Sequence, residues 1–410
     1  MLFLYDLSIQ LYKAFVWIAS LKNAKARLWI QGRRSLLQHI AKEVKPNVQY
    51  TWFHFASLGE FEQGRPVLEQ LKSQQPDSHI LITFFSPSGY QIRKNYPLAD
   101  HVFYLPIDTA QNAREFIRLI NPKMAVFTKY EYWYQYFNEL HQQQIPLYVI
   151  SAIFRKNQPF FKWYGSLNRR MLKCVSHFFV QNEESIELLK EIGLQNASLS
   201  GDTRFDRVAK NAQNPQKINI VERFCNNRLT FIAGSTWPED EELISQLSKT
   251  YAAWKFIIAP HEIGEEKIKA LESRPSGRSI RYSEAGQNAN LNQYQTIIID
   301  NIGMLSSLYQ YAHIAYIGGG FGKGIHNTLE AAAFGLPLIF GPEYGKFKEA
   351  KDLIKLGAAF SIKNYSELNT AMEKLTDENY RSQKGIAAKE YVETNTGATG
   401  IILNQISDHS

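Results

Sequence analysis

Cysteine is scarce in this sequence of 410 residues, in which only Cys174 and Cys225 occur. Two cysteines are too few for a disulfide scaffold or a cysteine metal site, so a reducing compartment is predicted. Other absences exclude whole classes of enzyme and fold. The sequence has no Gly-x-Ser-x-Gly elbow of a serine hydrolase and no His-Glu-x-x-His or Cys-x-x-Cys metal motif. It shows no tandem repeat with a period of about 20–50 residues, which argues against a solenoid.

Composition and length indicate a folded chain with two domains. Hydrophobic residues make up 44% of the sequence and charged residues 21%, with 24 Gly and 15 Pro, which excludes disorder, collagen-like repeats and a coiled coil. A chain of this length fits two domains of roughly 200 residues each. The 46 Lys and Arg against 39 Asp and Glu give a net charge of +7. This excess favours an anionic partner, whether nucleic acid, a phosphorylated substrate or an anionic membrane.

Residues 1–34 form a segment that is apolar first and basic afterwards. The run from Leu2 to Leu21 is interrupted by Asp6, Gln10 and Lys13 and is followed by Lys22, Lys25, Arg27, Arg33 and Arg34. A secretory signal begins with its basic residues, and a spanning helix needs about 20 largely uncharged residues, so neither is favoured. The pattern instead predicts an amphipathic anchor helix in the membrane interface, whose apolar face is Leu4, Leu7, Leu11, Phe15 and Ile18. Trp17 and Trp29 are expected at headgroup depth and the basic cluster on anionic lipid, while a soluble helix packed on the first domain is the alternative.

Short β-branched and aromatic runs alternate with helical patterns beyond residue 48, which indicates crossover units on parallel sheets. The predicted strands of the first series are 50–55, 79–85, 101–105, 124–128, 146–151 and 177–181. Those of the second series are 229–233, 255–259, 279–282, 296–299, 313–317, 338–340 and 358–362. The polar block 208–228 is interpreted as a linker, and 396–410 as a tail. The sequence therefore predicts an α/β protein with two doubly wound, Rossmann-like domains at 35–207 and 229–395, a cleft between them and ligand-binding loops at the carboxyl ends of the strands.

The first candidate site residue is Glu60, in the segment Ala56-Ser57-Leu58-Gly59-Glu60. A predicted strand ends before this segment and a helix is predicted to begin near Phe61, which places Glu60 at a helix N-terminus. The helix dipole there favours the ionised carboxylate. An ionised carboxylate can accept a proton from a hydroxyl as a general base, and simple capping of the helix is the alternative.

A second candidate is Arg204, in the segment Gly201-Asp202-Thr203-Arg204-Phe205-Asp206-Arg207 before the predicted linker. The guanidinium fork of an arginine matches the oxygens of a phosphate or carboxylate. The alternative, on these residues alone, is that Arg204 forms an ion pair between the domains.

The strongest motif is the glycine-rich segment from Ile317 to Glu330, which follows a predicted strand and opens a predicted helix. Glycines let a ligand approach the backbone, and a helix N-terminus offers free N–H groups to a phosphate. The spacing fits neither a Walker loop nor Gly-x-Gly-x-x-Gly, so a nucleotide-sugar phosphate site is favoured, with Glu330 one turn into the helix and near ribose hydroxyls. A purely structural glycine turn is the alternative. Three shorter loops at strand ends could complete the site: 234–236, 260–262 and 300–303.

Together these segments resemble the 3-deoxy-D-manno-octulosonic acid (Kdo) transferases of lipid A assembly. The resemblance is carried jointly by 56–60, 201–206, 233–236, 318–330, 335–337 and 341–350, and it extends from about residue 1 to about residue 395. It implies a GT-B glycosyltransferase fold with an N-terminal acceptor domain and a C-terminal CMP-Kdo domain. It also implies an inverting transfer of Kdo from CMP-Kdo to a tetra-acylated lipid A precursor (lipid IVA) at the cytoplasmic face of the inner membrane. Anionic membrane lipids are then the expected surface, and neither a cofactor, nor a metal ion, nor nucleic acid is required.

The resemblance also implies roles for individual residues. Glu60 corresponds to the general base, and Arg204 corresponds to a basic residue that steadies developing negative charge. The positions interpreted as substrate-binding are Ser57, Gly59, Ser235, Thr236, Pro260, His261, Ile302, Gly303, Met304, Gly319, Gly320, Asn327, Thr328, Leu329 and Glu330, of which 260–261, 302–304 and 327–330 are the implied CMP contacts.

The chain departs from the family pattern at three places. Where many members read Glu-Thr-Glu-Leu-Trp, this chain has Lys129-Tyr130-Glu131-Tyr132-Trp133. Either Lys129 takes an electrostatic role of its own or Glu131 substitutes for the missing acidic residue. The usual Pro-Arg-His is here Pro260-His261-Glu262, and a usual Gly-Glu is Gly303-Met304. Two other hypotheses remain: another nucleotide-sugar enzyme of this fold, such as a lipid-linked N-acetylglucosaminyl transferase or an epimerase, and a non-enzymatic membrane-bound nucleotide-binding module.

Overall fold

The computed structural model describes residues 2–274, 277–286 and 290–407 and divides the chain into two compact units. The first unit comprises Met1–Asp206 and Gly397–Ser410, and the second comprises Arg207–Thr396. Each unit contains a seven-stranded sheet in which all the pairings are parallel. The predicted α/β class with two doubly wound sheets is therefore confirmed.

The first sheet is built from β1 (Tyr50–Phe55), β2 (His79–Phe84), β3 (His101–Tyr104), β4 (Pro122–Thr128), β5 (Leu147–Ala152), β6 (His177–Val180) and β7 (Ala197–Leu199). Their spatial order is β3-β2-β1-β4-β5-β6-β7. Most of these strands are continuous apolar runs because helices cover both faces of the sheet. The short edge strand β7 has no such run, and the sequence prediction missed it.

The helices that precede β7 in the chain are α1 (Leu2–Ser20), α2 (Ala24–Gln31), α3 (Leu36–Glu43), α4 (Leu58–Gln74), α5 (Pro87–Arg93), α6 (Ala110–Ile120), α7 (Tyr134–Gln142), α8 (Ser166–Leu172) and α9 (Glu183–Glu191). Side-chain caps fix several of their starts. Thr109 accepts a hydrogen bond from the backbone N–H of Asn112 at α6, and Asn182 accepts one from Ser185 at α9. The core on one face of the sheet is centred on Trp52, Phe116, Phe127 and Tyr136, all fully buried.

α1 is attached to the first unit by one side and leaves its apolar side uncovered. Tyr5 donates a hydrogen bond to Asp108, and Gln135 donates one to Asp6 at 2.7 Å. Among its described apolar residues only Ile9 and Val16 are buried. The predicted apolar face is exposed, from Leu7 at 44% to Phe15 at 69%. By length and composition α1 could also cross a membrane.

Two residues assigned to the lipid surface belong to the protein core instead. Trp29 is only 4% exposed and packs edge-on against Phe85. The Arg33 guanidinium lies 4.0 Å from the Trp29 ring centroid and donates hydrogen bonds to the carbonyl oxygens of Leu105 and Phe85. The prediction of Trp29 at headgroup depth and of Arg33 on anionic lipid is therefore wrong, because both side chains fill the interior of the first unit.

The second sheet is built from β8 (Thr230–Thr236), β9 (Lys255–Pro260), β10 (Ser279–Arg281), β11 (Thr296–Ile298), β12 (Ile314–Ile317), β13 (Leu338–Phe340) and β14 (Ala359–Ser361). Their order is β10-β11-β9-β8-β12-β13-β14. The helices that follow β7 in the chain are α10 (Thr203–Gln213), α11 (Asn219–Cys225), α12 (Pro238–Thr250), α13 (Glu265–Glu272), α14 (Tyr282–Ala285), α15 (Leu305–Leu308), α16 (Leu329–Ala333), α17 (Lys348–Lys355), α18 (Tyr365–Thr376), α19 (Glu378–Thr394) and α20 (Ala398–Ser407).

Two segments interpreted as connections are helical. The block 208–228 contains the end of α10 and all of α11, whose Val221 and Phe224 are fully buried. The segment 396–410 is not a loose tail over its described part, because α20 packs Ile402, Leu403 and Ile406 into the core of the first unit. Residues 408–410 lie outside the described part of the chain, as does Met1 of the predicted anchor.

Candidate active site

Each sheet reverses its strand order at one place, and the candidate residues follow the strands at that place. In the first sheet the reversal lies between β1 and β4, which are neighbours. Glu60 follows β1, and Lys129 and Glu131 follow β4. In the second sheet the reversal lies between β8 and β12. Ligands of open α/β sheets bind in the crevice outside the carboxyl ends of the strands at this point.

Glu60 lies in the first turn of α4, which begins at Leu58 rather than near Phe61. Ser57 precedes the helix and its hydroxyl donates a hydrogen bond to Glu60 Oε2 at 3.3 Å. Gly59 is exposed, and a Cβ at this position would meet only Ser57 Oγ within 4 Å. The strand-to-helix turn therefore leaves open space over the backbone beside the Glu60 carboxylate.

The protonation of Glu60 differs from the sequence prediction. Burial raises the pKa of Glu60 from 4.5 to about 7, and the negative charge of Glu131 adds to the rise, while Ser57 and Lys129 lower it. The helix dipole was expected to keep the carboxylate ionised, but loss of solvent and a like charge outweigh it. A carboxylate with a pKa near neutrality is suited to general-base catalysis.

The departure at Lys129 brings a cation and an anion beside Glu60. Lys129 directly follows β4 and has a φ of 58°, a conformation that few non-glycine residues adopt. Glu131 is 14% exposed, and its Oε2 atom accepts a hydrogen bond from Trp133 Nε1 at 2.9 Å. His54 Nε2 lies 3.4 Å from the same oxygen. Lys129 and Glu131 both act electrostatically on Glu60.

Arg204 is hydrogen-bonded to Asp202, two residues before it. Its Nε donates to Asp202 Oδ2 at 2.9 Å, and its backbone N–H donates to Asp202 Oδ1 at 2.9 Å. The same Oδ1 atom accepts a hydrogen bond from Gln63 on α4 at 2.8 Å. The Arg204 side chain is 32% exposed. Asp202 thus connects the segment that carries Arg204 to the helix that carries Glu60.

In the second unit, a cavity of about 420 Å³ lies at the carboxyl ends of β8, β9 and β12. Its lining includes Trp237, His261, Gly319, Lys323 and His326. The His261 ring stacks on both of the other aromatic rings, with centroids 4.7 Å from Trp237 and 4.6 Å from His326, and Trp237 Nε1 donates a hydrogen bond to His326 Nε2 at 3.2 Å. Burial and the neighbouring His261 lower the pKa of His326. A flat, partly apolar wall beside a lysine suits a nucleobase and its phosphate.

Some glycines of the glycine-rich loop pack closely against neighbouring backbone, and one borders open space. A Cβ on Gly318 would lie 2.3 Å from Ser235 O, and one on Gly320 would lie 2.6 Å from Gly341 Cα. These two glycines are therefore required for packing, which supports the structural alternative at those positions. Gly322 has nothing within 4 Å of a Cβ and lines the cavity, so a ligand can approach the backbone there.

Asp240 holds this loop in place, and the sequence analysis missed it. Its carboxylate is fully buried and accepts hydrogen bonds from Gly319 N at 2.9 Å, Trp237 N at 2.9 Å and Tyr316 Oη at 2.7 Å. An acidic residue three positions after the N-cap, here Trp237, is typical of a helix start. The sequence therefore gives no separate indication that Asp240 also holds the glycine-rich loop. His54 was missed too, although a polar residue inside an apolar strand is a usable indication.

The segment 327–330 is partly turned inward. Thr328 and Leu329 are buried, and Thr328 Oγ1 has no hydrogen-bond partner among the described residues. Glu330 is the second residue of the short α16, not one turn into it, and its Oε1 atom accepts hydrogen bonds from Asn327 at 3.1 Å and Arg207 at 3.4 Å. The Glu330 carboxylate is therefore already engaged by two side chains.

The remaining predicted positions are distributed around the strand ends. Thr236 donates to Glu241 at 3.2 Å, and its carbonyl oxygen accepts a hydrogen bond from His261 N at 2.9 Å, next to Pro260. Ser235 has a φ of 56° and Gly303 a φ of 98°. Ile302 is 85% exposed, and residues 302–304 are not among those that line the cavity of the second unit. Within the described ranges, no group of three or more His, Cys, Asp or Glu is placed to hold a metal ion.

Comparison with known proteins finds similarity to one family of transferases. Residues 29–207 match the family model described as 3-deoxy-D-manno-octulosonic-acid transferase (kdotransferase). A 3-deoxy-D-manno-octulosonic acid transferase of Rickettsia felis is 29% identical over 336 residues, covering 80% of this chain and 72% of that protein. One of Aquifex aeolicus is 27% identical over 377 residues, covering 90% of this chain and 91% of the other.

Solved structures share the fold at low identity. UDP-GlcNAc 2-epimerase from Neisseria meningitidis superposes with a TM-score of 0.64 at 16% identity, covering 88% of this chain and 100% of the other. A glycosyltransferase from Rickettsia africae gives a TM-score of 0.56 at 13% identity, with 88% and 97% covered. The two parallel seven-stranded sheets are those of the GT-B fold. The chain is a glycosyltransferase that matches the 3-deoxy-D-manno-octulosonic acid transferase model over residues 29–207 and is similar to transferases of that name over most of its length.

Proposed function

We propose that this enzyme transfers Kdo from CMP-Kdo to a sugar hydroxyl of a tetra-acylated lipid A precursor, with Glu60 as the general base. Glu60 takes the proton of the hydroxyl, the hydroxyl oxygen bonds to the anomeric carbon of Kdo, and the bond from that carbon to the CMP phosphate breaks. The configuration at the anomeric carbon is inverted because the hydroxyl enters opposite the leaving CMP. The products are the Kdo-bearing lipid and CMP.

The observation that carries the proposal is the setting of Glu60 at the reversal point of the first sheet. A sugar hydroxyl is a weak nucleophile, so a base that is ionised near neutral pH is needed. The raised pKa of Glu60, about 7, meets this requirement, and the cation of Lys129 favours the ionised form. Arg204 is proposed to steady the developing negative charge, supported by its connection through Asp202 and Gln63 to α4.

CMP-Kdo is assigned to the second unit. Trp237, His261 and His326 offer flat surfaces to a base, and Lys323 and the open backbone at Gly322 suit a phosphate. The missing arginine at the Pro-His-Glu loop is compatible with this role because Lys323 lines the same cavity. The leaving CMP carries its own phosphate, so the proposed reaction proceeds without a metal ion or cofactor.

The acceptor is a lipid, and α1 is proposed to hold the enzyme at the cytoplasmic face of the inner membrane. Its exposed apolar residues include Leu4, Leu11, Phe15 and Ile18, at 59–69% exposure. Such a face favours insertion into the boundary between headgroups and acyl chains. The net charge of +7 favours anionic lipids and the anionic substrates.

The test is Kdo transfer by the purified enzyme with CMP-Kdo and a tetra-acylated lipid A precursor, followed by mass spectrometry. We expect Glu60→Gln to bind CMP-Kdo as the wild type does and to lose transfer by about 100-fold or more. Glu62→Gln on the same helix is the matched control and should keep transfer. Near-normal turnover of Glu60→Gln would remove Glu60 from the mechanism, and transfer from a UDP-sugar in place of CMP-Kdo would contradict the assigned donor.

A further inference from the structure

A line of hydrogen-bonded side chains runs from the interior of the first sheet to Glu131, whose negative charge acts on the candidate base. Trp52 Nε1 donates to Thr83 Oγ1 at 2.8 Å, and Thr83 Oγ1 lies 2.8 Å from His54 Nδ1. His54 Nε2 lies 3.4 Å from Glu131 Oε2, which also accepts the 2.9 Å hydrogen bond from Trp133. Trp52, His54 and Thr83 are fully buried. Neighbouring strands place them in register, since His54 on β1 pairs with Thr83 on β2.

The donors and acceptors of this line fix the direction of every hydrogen bond. An indole N–H only donates, so Thr83 Oγ1 accepts from Trp52 and keeps its own proton for His54. Burial lowers the pKa of His54, so its ring is neutral and carries one proton. The Glu131 carboxylate only accepts, which assigns that proton to Nε2 and leaves Nδ1 to accept from Thr83. Glu131 Oε2 thus receives two neutral donors, His54 and Trp133.

We propose that His54 is a positioning residue that fixes the Glu131 carboxylate beside Glu60, so that the charge of Glu131 acts on the candidate base. This inference rests on the proposed role of Glu60 as the base. His54 on β1 and Trp133 before α7 both donate to Glu131 Oε2, so two separate elements hold this carboxylate. A Glu131 carboxylate that loses the His54 donor can turn away from Glu60, which weakens the repulsion between the two groups.

Other charges act on the same group of side chains. Arg33 lowers the pKa of His54, and Lys129 lowers the pKa of Glu60. Burial raises the pKa of the Tyr12 phenol on α1, the charge of Arg33 lowers it and the charge of Glu131 raises it. Tyr12 is therefore neutral while Glu60 titrates. Burial lowers the pKa of Arg33 to about 9, so Glu60 is titrated below about pH 8, where Arg33 stays charged.

Two substitutions of His54 separate this role from simple packing. In His54→Asn the short amide overlaps Nδ1, so it keeps the contact with Thr83 and loses the contact with Glu131. In His54→Gln the longer amide reaches the place of Nε2 and can still donate to Glu131. Both variants remove the same ring from the core, so a purely structural role would affect them alike.

The experiment titrates Glu60 by carbon NMR of the full chain carrying ¹³C-labelled glutamate side chains, with Glu60→Gln used to assign the resonance. We expect Glu131→Gln to lower the pKa of Glu60, because it removes the like charge. His54→Asn should lower it in the same direction by about half a pH unit or more, and His54→Gln should stay near the wild type. The acid limb of the transfer rate against pH should move in parallel.

Two results would overturn the inference. One is a Glu60 titration that both His54 variants leave at the wild-type pH while Glu131→Gln moves it. The other is an imidazole ¹⁵N spectrum in which neutral His54 carries its proton on Nδ1. The NMR readouts do not need turnover, so an unreactive enzyme with the expected shifts would reject the proposed function and retain the arrangement. If either His54 variant fails to fold, Trp133→Phe takes its place in the experiment. This substitution removes the other donor to Glu131, from a different element, and should also lower the pKa of Glu60.

Discussion

Replacing Glu60 by glutamine should stabilise the protein more at alkaline than at acid pH. The folded-state pKa of Glu60 is raised from 4.5 to about 7, so the folded chain binds a proton more tightly than the unfolded chain does. Stability is therefore present at acid pH and is lost as the pH rises from 4.5 through about 7. Glutamine carries no such charge and avoids the loss.

The size of the effect follows from the shift. At about 1.36 kcal/mol per pKa unit the rise corresponds to about 3 kcal/mol, and partial access of solvent to Glu60 reduces the expected value to about 2 kcal/mol. For a unit of this size, each kcal/mol moves the unfolding midpoint by about 2–4 °C. The unfolding midpoint of Glu60→Gln should therefore lie about 4–8 °C above that of the wild type at about pH 8.5. At about pH 5 the difference between the two midpoints should be about a quarter as large.

Thermal unfolding followed by tryptophan fluorescence over this pH range measures the difference. Glu187→Gln changes an exposed carboxylate on α9 and is the matched control, for which the difference from the wild type should not depend on pH. Equal midpoints of Glu60→Gln and the wild type at both pH values would refute the reasoning. So would a stabilisation of equal size at acid and alkaline pH, because it would come from packing and not from charge.

Three further outcomes follow from the geometry. Leu11→Ser with Phe15→Ser should weaken binding to vesicles with anionic lipid by about 100-fold in a sedimentation assay, since two exposed apolar side chains of α1 are lost. Asp240→Asn should weaken CMP binding by about 10-fold or more in calorimetry, because the NH2 end of the amide cannot accept the hydrogen bonds that one carboxylate oxygen accepts in the wild type. Arg204→Ala should lower the turnover number of Kdo transfer by about 10–100-fold with little change in CMP binding.

Each of these has a control elsewhere on the chain. Ile386→Ser removes an exposed apolar side chain of α19 and should leave vesicle binding unchanged. Glu242→Gln, next to the loop-holding carboxylate but exposed, should leave CMP binding unchanged. Arg118→Ala removes an exposed arginine on α6 and should leave turnover unchanged. A variant that behaves like its control would contradict the corresponding assignment.

The strands could be predicted because most of them are runs of apolar residues buried on both faces. Tyr50–Phe55 and Leu338–Phe340 have the predicted bounds, and the other predicted strands differ by a few residues at their ends. Ala197–Leu199 was missed because a partly exposed edge strand of three residues has no distinctive pattern. The helices in 208–228 were hidden by asparagine and proline, which are typical of loops but are tolerated at helix ends.

The positions of charged and aromatic side chains were harder to predict than the elements that carry them. Trp29 and Arg33 follow an apolar helix, a pattern that suits a lipid surface and a protein core equally well, and contacts with Phe85 and Leu105 decide for the core. The ionisation of Glu60 depends on Glu131, which is distant in sequence and close only because β1 and β4 are neighbours. Sequence spacing cannot report such a contact.

The central claim is that Glu60 is the base of a Kdo transfer, and the pH dependence of that transfer tests it most directly. The account predicts a rate from CMP-Kdo to the tetra-acylated lipid A precursor that falls about tenfold per pH unit below about pH 7, and an acid limb that moves to lower pH in Glu131→Gln. A rate that stays constant down to about pH 5, or an acid limb that Glu131→Gln leaves in place, would contradict it.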